Sequence, residues 1–254
     1  YMISLAFVTS NKRLLLFIVL NLFMSLESMS KPSFDTLTVL VTCPKFDYDG
    51  NYPVIVSLKD YPLVTRSIVY SDNTELLSQL DDLDGDGIND ELCFFVNVKK
   101  KQKYSFKVVL EKNSEPKRYS PHTYAELLLK NPKIKEKNKQ DLFIQQIVVG
   151  KDLDDSFHLL HHHGVAFENE LIALRIYFDK RQTLDLYGKK RKGLEIKDTQ
   201  FYTNKQQLLD GYGDDILWAG NALGLGALRG WVECKEQLLD DVEYRGQRIV
   251  CQGP

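Results

Sequence analysis

Four of the five histidines fall within six residues, at His158, His161, His162 and His163. Histidine titrates near neutral pH and ligates metals. The cluster therefore reads three ways. It is a zinc site with three protein ligands and an open position, a substrate-lining loop with one acid or base, or a solvent-facing loop that is merely rich in histidine. The H-E-x-x-H spacing of helical zinc hydrolases is absent, which weighs against the first. Just downstream, Leu171 to Asp179 alternates with period two. Ile172, Leu174, Ile176 and Phe178 share an apolar face that belongs in a core. Arg175, Tyr177 and Asp179 share the other. Lys180-Arg181-Gln182 can turn the chain, after which Thr183, Asp185 and Tyr187 take one face of a second strand. Paired about that turn, Tyr177 lies opposite Asp185 and Arg175 opposite Tyr187. One sheet face then carries an arginine, two tyrosines and two aspartates, with Lys189 just beyond. Such a face is either ordinary solvated surface or one wall of a site, because convergent polar groups on a concavity mark binding sites.

Asp82-Leu83-Asp84-Gly85-Asp86-Gly87-Ile88-Asn89-Asp90 is the sharpest local motif. Alternate carboxylates with glycines between them can wrap a hard cation such as calcium, which takes six to eight oxygens. Asp82, Asp84, Asp86 and Asp90 fall on EF-hand ligand positions, but the twelfth position is Cys93, not Glu, and strand-like segments flank the loop. An EF-hand is excluded. A structural calcium loop and a cation-free Asp/Gly turn both remain. Trp218 and Trp231 sit among glycines and aspartates. Flat rings with a polar handle suit sugar stacking as well as core packing.

The elements that must position these groups are mostly strands. From Thr36 to Lys112 short β-branched runs recur at close spacing, which predicts an antiparallel β-sandwich over residues 31–112. Residues 113–122 read as a linker. Residues 123–254 read as a larger, sandwich-like β-rich domain with few short helices. One helix is expected near 204–211, with an asparagine cap and a glycine stop. Residues 1–30 show the basic, apolar, small-residue order of a signal peptide. The apolar run is short of the about 20 residues of a membrane span. Export to the periplasm or medium, with no stable membrane anchor after cleavage, is expected. The first residue is Tyr1 and the last segment reads as a strand entering a turn, so a C-terminally truncated chain is expected too. The net charge of −2 excludes the basic footprint of a nucleic-acid binder. Four cysteines without a C-x-x-C pair exclude a disulfide-dense scaffold or a cysteine zinc site. One disulfide is compatible with an oxidising compartment, and the spacing does not choose it.

Several of these segments together resemble the family of domain of unknown function 4861. They are Ser78-Gln79-Leu80-Asp81-Asp82-Leu83-Asp84-Gly85-Asp86-Gly87 with Asp90-Glu91-Leu92, and His162-His163-Gly164 with Ala166-Phe167-Glu168. Arg175-Ile176-Tyr177-Phe178-Asp179-Lys180, Asp185-Leu186-Tyr187-Gly188-Lys189 and Gly211-Tyr212-Gly213-Asp214-Asp215 with Leu217-Trp218 complete the set. The resemblance implies an exported bacterial protein associated with polysaccharide use, and carries no settled reaction. On that footing an enzyme on acidic glycans, a lyase or a hydrolase, is one reading. Arg175 would neutralise a uronate, His162 or His163 would act as base, and Tyr177 or Tyr187 as acid. Glu168, Asp179, Asp185, Lys189, Trp218 and Trp231 would contact the sugar. The alternatives are a non-catalytic carbohydrate-binding module using the same face and a structural protein in which that face has no ligand. Oligomeric state is not legible.

Overall fold

The computed structural model describes residues 33–42, 51–99, 102–131, 133, 141–153, 156–217 and 225–254. The expected signal segment, Cys43 and Trp218 lie outside the described residues. No helix among the described residues is long and apolar enough to cross a membrane. The fold is mostly β, as the strand pattern predicts.

The N-terminal part contains β1 (Ser33–Thr42), β2 (Asn51–Ser57), β3 (Val64–Ser71), β4 (Thr74–Leu76), β5 (Ser78–Asp81), β6 (Glu91–Asn97) and β7 (Lys103–Lys112). They form two antiparallel sheets, ordered β1-β7-β3-β4 and β2-β6-β5. Alternation decides which side chains go inside. Leu92, Phe94 and Val96 of β6 are buried, as are Phe106, Val108 and Leu110 of β7. They meet in one apolar core with Val54, Val64 and Val69. Phe94 and Phe106 pack edge to face with centroids 5.5 Å apart. Each such side chain contributes roughly 1.5–3 kcal/mol by leaving water.

After β7 the chain runs without regular structure to β8 (Thr123–Glu126), β9 (Leu128–Lys130), β10 (Asp141–Phe143) and β11 (Gln146–Gly150). β12 (Gly164–Asn169), β13 (Ile172–Tyr177) and β14 (Leu184–Gly188) follow, then α1 (Ile196–Thr199), α2 (Lys205–Leu209) and β15 (Asp214–Leu217). β16 (Arg229–Val232), β17 (Lys235–Leu238) and β18 (Tyr244–Arg248) end the order. The main sheet is antiparallel, ordered β15-β14-β13-β12-β8. β11 pairs with β18, and β16 with β17. α2 begins where the sequence predicts. Asn204 caps it, accepting from the Gln207 amide, and the Gln207 side chain returns the bond. Gly211 follows at φ +86°.

The two faces of the main sheet correct one expectation. Ile172, Leu174 and Ile176 do share a face, but Ile172 is exposed and the other two are only half-buried. The polar partners Arg175 and Tyr177 are the buried ones, at 3% and 6% exposure. The reason is the cover. β11, β18 and Leu160 pack over only part of the apolar face, around Val165 and Phe178. Ile196 and Phe201 close over the polar face beside Ala166, Ala173 and Tyr187.

Candidate functional site

Register is the second correction. Arg175 pairs with Asp185, and Tyr187 with Ala173. The shift from the expected register is two residues, so every side chain keeps its face. Asp179 causes it: its carboxylate accepts from the Arg181 and Gln182 amides, at 2.8 and 3.4 Å. That turn is centred earlier than Lys180-Arg181-Gln182 alone would place it, and Gln182 takes φ +51°.

Arg175 is the centre of the polar layer. Its Nε and Nη2 donate to Asp185 Oδ2 at 2.9 and 2.6 Å. Nη1 donates to the Tyr202 hydroxyl at 2.6 Å and Nη2 to the Tyr177 hydroxyl at 3.2 Å. The Tyr177 hydroxyl donates to Asp185 Oδ2 at 2.5 Å. Asp215 stands 3.5 Å from Nη2. The guanidinium also lies over the Phe201 ring, 4.7 Å from its centroid. Burial works against its charge, but Asp185 and the neighbouring phenol oxygens hold its pKa above the usual arginine value. Burial, then Asp185, pushes the Tyr177 phenol up as well. Alanines at 166 and 173 flank Arg175 on the neighbouring positions of its face and leave room for the planar group.

Glu168 and Lys189 hold the cover in place. Glu168 accepts from the Glu195 amide at 2.9 and 2.8 Å and from the Ile196 amide at 2.9 Å. These are amides with no partner inside the helix α1. Lys189 Nζ donates to Glu168 Oε2 at 2.5 Å and to the carbonyls of Asn169 and Gly193, both at 2.6 Å. Both side chains are essentially enclosed. Tyr187 is fully buried and donates to Glu195 Oε2 at 2.9 Å. Burial brings its phenol to about 12. Sequence reasoning missed Glu195 and Tyr202, which lie in a stretch with no periodic signal.

The histidines divide. His162 is fully buried, its Nε2 2.5 Å from Glu126 Oε1. Glu126 in turn accepts from the Tyr124 hydroxyl at 2.7 Å. His162 Nδ1 is buried with no hydrogen-bond partner. Burial lowers the His162 pKa, against the pull of Glu126, and keeps the ring neutral at neutral pH. Glu126 was not anticipated. The run from Tyr124 to Leu129 is too short for periodicity to tell a strand from a helical turn. His161 pairs with Asp141 at 2.5 Å. His163 sits at φ +59°, stacks on Phe157 with centroids 3.7 Å apart, and has Nδ1 2.9 Å from the Phe157 carbonyl. Its pKa is lowered, first by burial. The next residue must be glycine, because a Cβ at Gly164 would stand 1.7 Å from the Ile176 carbonyl. The His162-His163-Gly164 run thus leads into β12 beside the end of β13, where the His163 carbonyl accepts from the Phe178 amide at 2.6 Å.

His163, Phe157 and Arg181 lead to a surface concavity. Arg181 lies over Phe157, 5.1 Å from the ring centroid, and pairs with Asp179 at 2.6 Å. The concavity holds about 400 Å³ and is lined by Lys151, Phe157, Asp179, Lys180, Arg181, Asp240 and Arg245, with Leu153 and Ser156. Arg245 Nε is buried without a hydrogen-bond partner. The β16–β17 ribbon is tied to the same turn, with Arg229 Nη1 donating to the Arg181 carbonyl at 2.9 Å. Trp231 on that ribbon is 69% exposed.

The acidic loop meets the end of β18, where the Arg248 guanidinium donates to the Leu83 carbonyl. Carboxylate oxygens of Asp82, Asp84 and Asp86 lie within 4.8 Å of one another. Backbone amides already engage them: Gly85 and Gly87 donate to Asp82 at 2.6 and 2.8 Å, Asp86 to Asp84 at 3.1 Å, and Ile88 to Asp86 at 2.7 Å. Asp90 lies outside that cluster and accepts from the Leu83 amide at 2.7 Å.

The fold and site define a mostly β protein whose larger sheet buries a charged, hydrogen-bonded layer beside an open basic concavity. The domain of unknown function DUF4861 matches residues 50–254, and the chain belongs to that family. No curated protein and no solved structure matches it.

Proposed function

We propose that the chain is an exported protein that takes acidic carbohydrate in the concavity between Lys151 and Arg245. The carrying observation is local charge. Four basic side chains, Lys151, Lys180, Arg181 and Arg245, converge there against Asp179 and Asp240, with Lys151 also paired to Glu243 at 2.8 Å, in a chain whose net charge is −2. Cations in a partly desolvated hollow suit carboxylates, and exposed Trp231 offers a ring to a sugar face. Affinity electrophoresis on pectate, alginate and a neutral glucan tests this reading. It expects retardation on the acidic gels alone, reduced in Lys180→Glu and Arg245→Glu variants. Equal mobility on all three gels removes it.

The same geometry favours a structural over a catalytic role for Arg175, Tyr177 and Tyr187, whose polar atoms are enclosed: Arg175 and Tyr177 are bonded to each other and to Asp185, and Tyr187 to Glu195. A second reading keeps catalysis, as elimination or hydrolysis. It is favoured by the neutral imidazole of His162, whose Nδ1 has no partner. Release of unsaturated uronate or of reducing ends from the same polysaccharides, lost in His162→Ala and His163→Ala, supports it. No product at any enzyme concentration leaves the binding module. The acidic loop's role in either reading is a structural calcium ion. Calorimetric heat on calcium addition and a chelator-sensitive Tm support that ion, and a flat isotherm removes it.

A further inference from the structure

A groove of about 550 Å³ separates the outer face of the β2-β6-β5 sheet from the main sheet. Its floor on one side is Gln79, Asp81, Glu91, Cys93 and Phe95, and on the other Ala125, Phe167, Ile172 and Leu174. Cys251 lines it too. Cys93 points into the groove because its neighbours Leu92 and Phe94 point into the sandwich core. The segment around Cys251 is pinned on both sides. The Ile249 amide donates to the Gln145 carbonyl at 3.0 Å. The Ala125 amide donates to the Gln252 side chain at 2.8 Å, and the Gly253 amide to the Thr123 hydroxyl at 2.8 Å. Gly253 approaches so closely that a Cβ there would stand 2.4 Å from Gln79 Oε1. Gln79 is the direct cross-strand partner of Cys93. The two thiols therefore face one another's surroundings across the seam between the two parts of the molecule.

We propose that Cys93 and Cys251 form a disulfide that ties the N-terminal sandwich to the main sheet. Both cysteines are free thiols in this structure. Burial and then the carboxylates of Asp81 and Glu91 push both thiols up, with Cys251 adding to the effect on Cys93. The raised thiol pKa values make the reaction slow at neutral pH and faster in mild base. The oxidant is a low-molecular-weight disulfide. One cysteine thiolate attacks it, forming a mixed disulfide and releasing one thiol. The second cysteine thiolate then attacks the mixed disulfide at the protein sulfur and expels the other thiol. Two protein thiols and one small disulfide become one protein disulfide and two small thiols. In the cell the oxidant's presence rests on the proposed export. In vitro the test does not.

The full chain is incubated with oxidised glutathione at pH 8, blocked with an alkylating agent and digested with trypsin. The expected product is peptide 67–99 joined to peptide 249–254, absent after reduction. Linkage of either cysteine to Cys43 or Cys234, or alkylation of both after oxidation, overturns the proposal. Cys93→Ser and Cys251→Ser variants should each leave the partner as a glutathione adduct. A bridge closing so long a loop should raise Tm by about 5 °C or more over the reduced protein. A joined peptide with an unchanged or lower Tm overturns the claim that the bridge fits the native groove. Failure here leaves polysaccharide binding at the basic concavity untouched, since Arg245 and Cys251 serve different surfaces.

Discussion

The two halves of the molecule bury opposite chemistries in similar sheets. Between its two sheets the N-terminal sandwich encloses valine, leucine and phenylalanine. On its covered face the main sheet encloses Arg175, Asp185, Glu168, Glu126 and Tyr187. Apolar burial is non-directional, so the first interior tolerates exchange of one apolar shape for another. The second is directional. Each carboxylate there has assigned donors, and removing one partner strands the other in low dielectric. Similar replacements in the two interiors should therefore have very different consequences.

Arg175→Met is the strongest way to break that comparison. It keeps length and apolar stem but leaves Asp185, Tyr177 and Tyr202 without their shared donor. A loss of about 3–5 kcal/mol is expected in urea unfolding. The double variant Arg175→Met, Asp185→Leu should recover a good part of it. Next in size is Glu168→Gln. An amide oxygen can still accept from the α1 amides, and Lys189 keeps two carbonyls, so about 2–3 kcal/mol is expected. Leu110→Met in the apolar core is the matched control and should cost less than about 1.5 kcal/mol. A control as damaging as Arg175→Met would dissolve the contrast.

Acid should sharpen the same contrast more gently. Burial lowers the pKa values of His162 and His163 in the folded chain. The unfolded chain then takes up protons first. Stability is fully present above the ordinary histidine value of about 6.5 and falls as pH drops from there toward the folded values. A urea midpoint that declines below pH 6.5, with a shallower decline in His162→Gln, is expected. A midpoint independent of pH across that window would contradict the buried, neutral imidazole.

How much of this was legible depended on whether the information was local. The alternation from Ile172 to Phe178 fixed which side chains share a face, and the Asn204–Gln207 capping pair fixed a helix start. Which face is buried was not local. It depends on Ile196, Phe201 and Tyr202, which arrive from a stretch without periodicity and close over Arg175. Period two favours burying the apolar set, and here the cover overrides it. The register of β13 on β14 was missed by two residues because the Asp179 side chain, not the basic turn residues, sets the loop. The histidine cluster is visible in the local sequence, but the enclosure of His162 by Glu126 requires β8 to lie beside β12. The basic concavity draws Lys151, Arg181 and Arg245 from three distant segments, and no spacing rule joins them.

The central claim is that the buried polar layer builds the fold while the basic concavity takes the ligand. Oligogalacturonate binding and Tm, measured together on Arg245→Glu and Arg175→Met, test it most directly. The account predicts that Arg245→Glu loses binding by about tenfold or more with Tm nearly unchanged. It predicts that Arg175→Met drops Tm sharply but binds normally at temperatures where it is folded. Binding lost only in folded Arg175→Met, with Arg245→Glu binding like the parent, would contradict it.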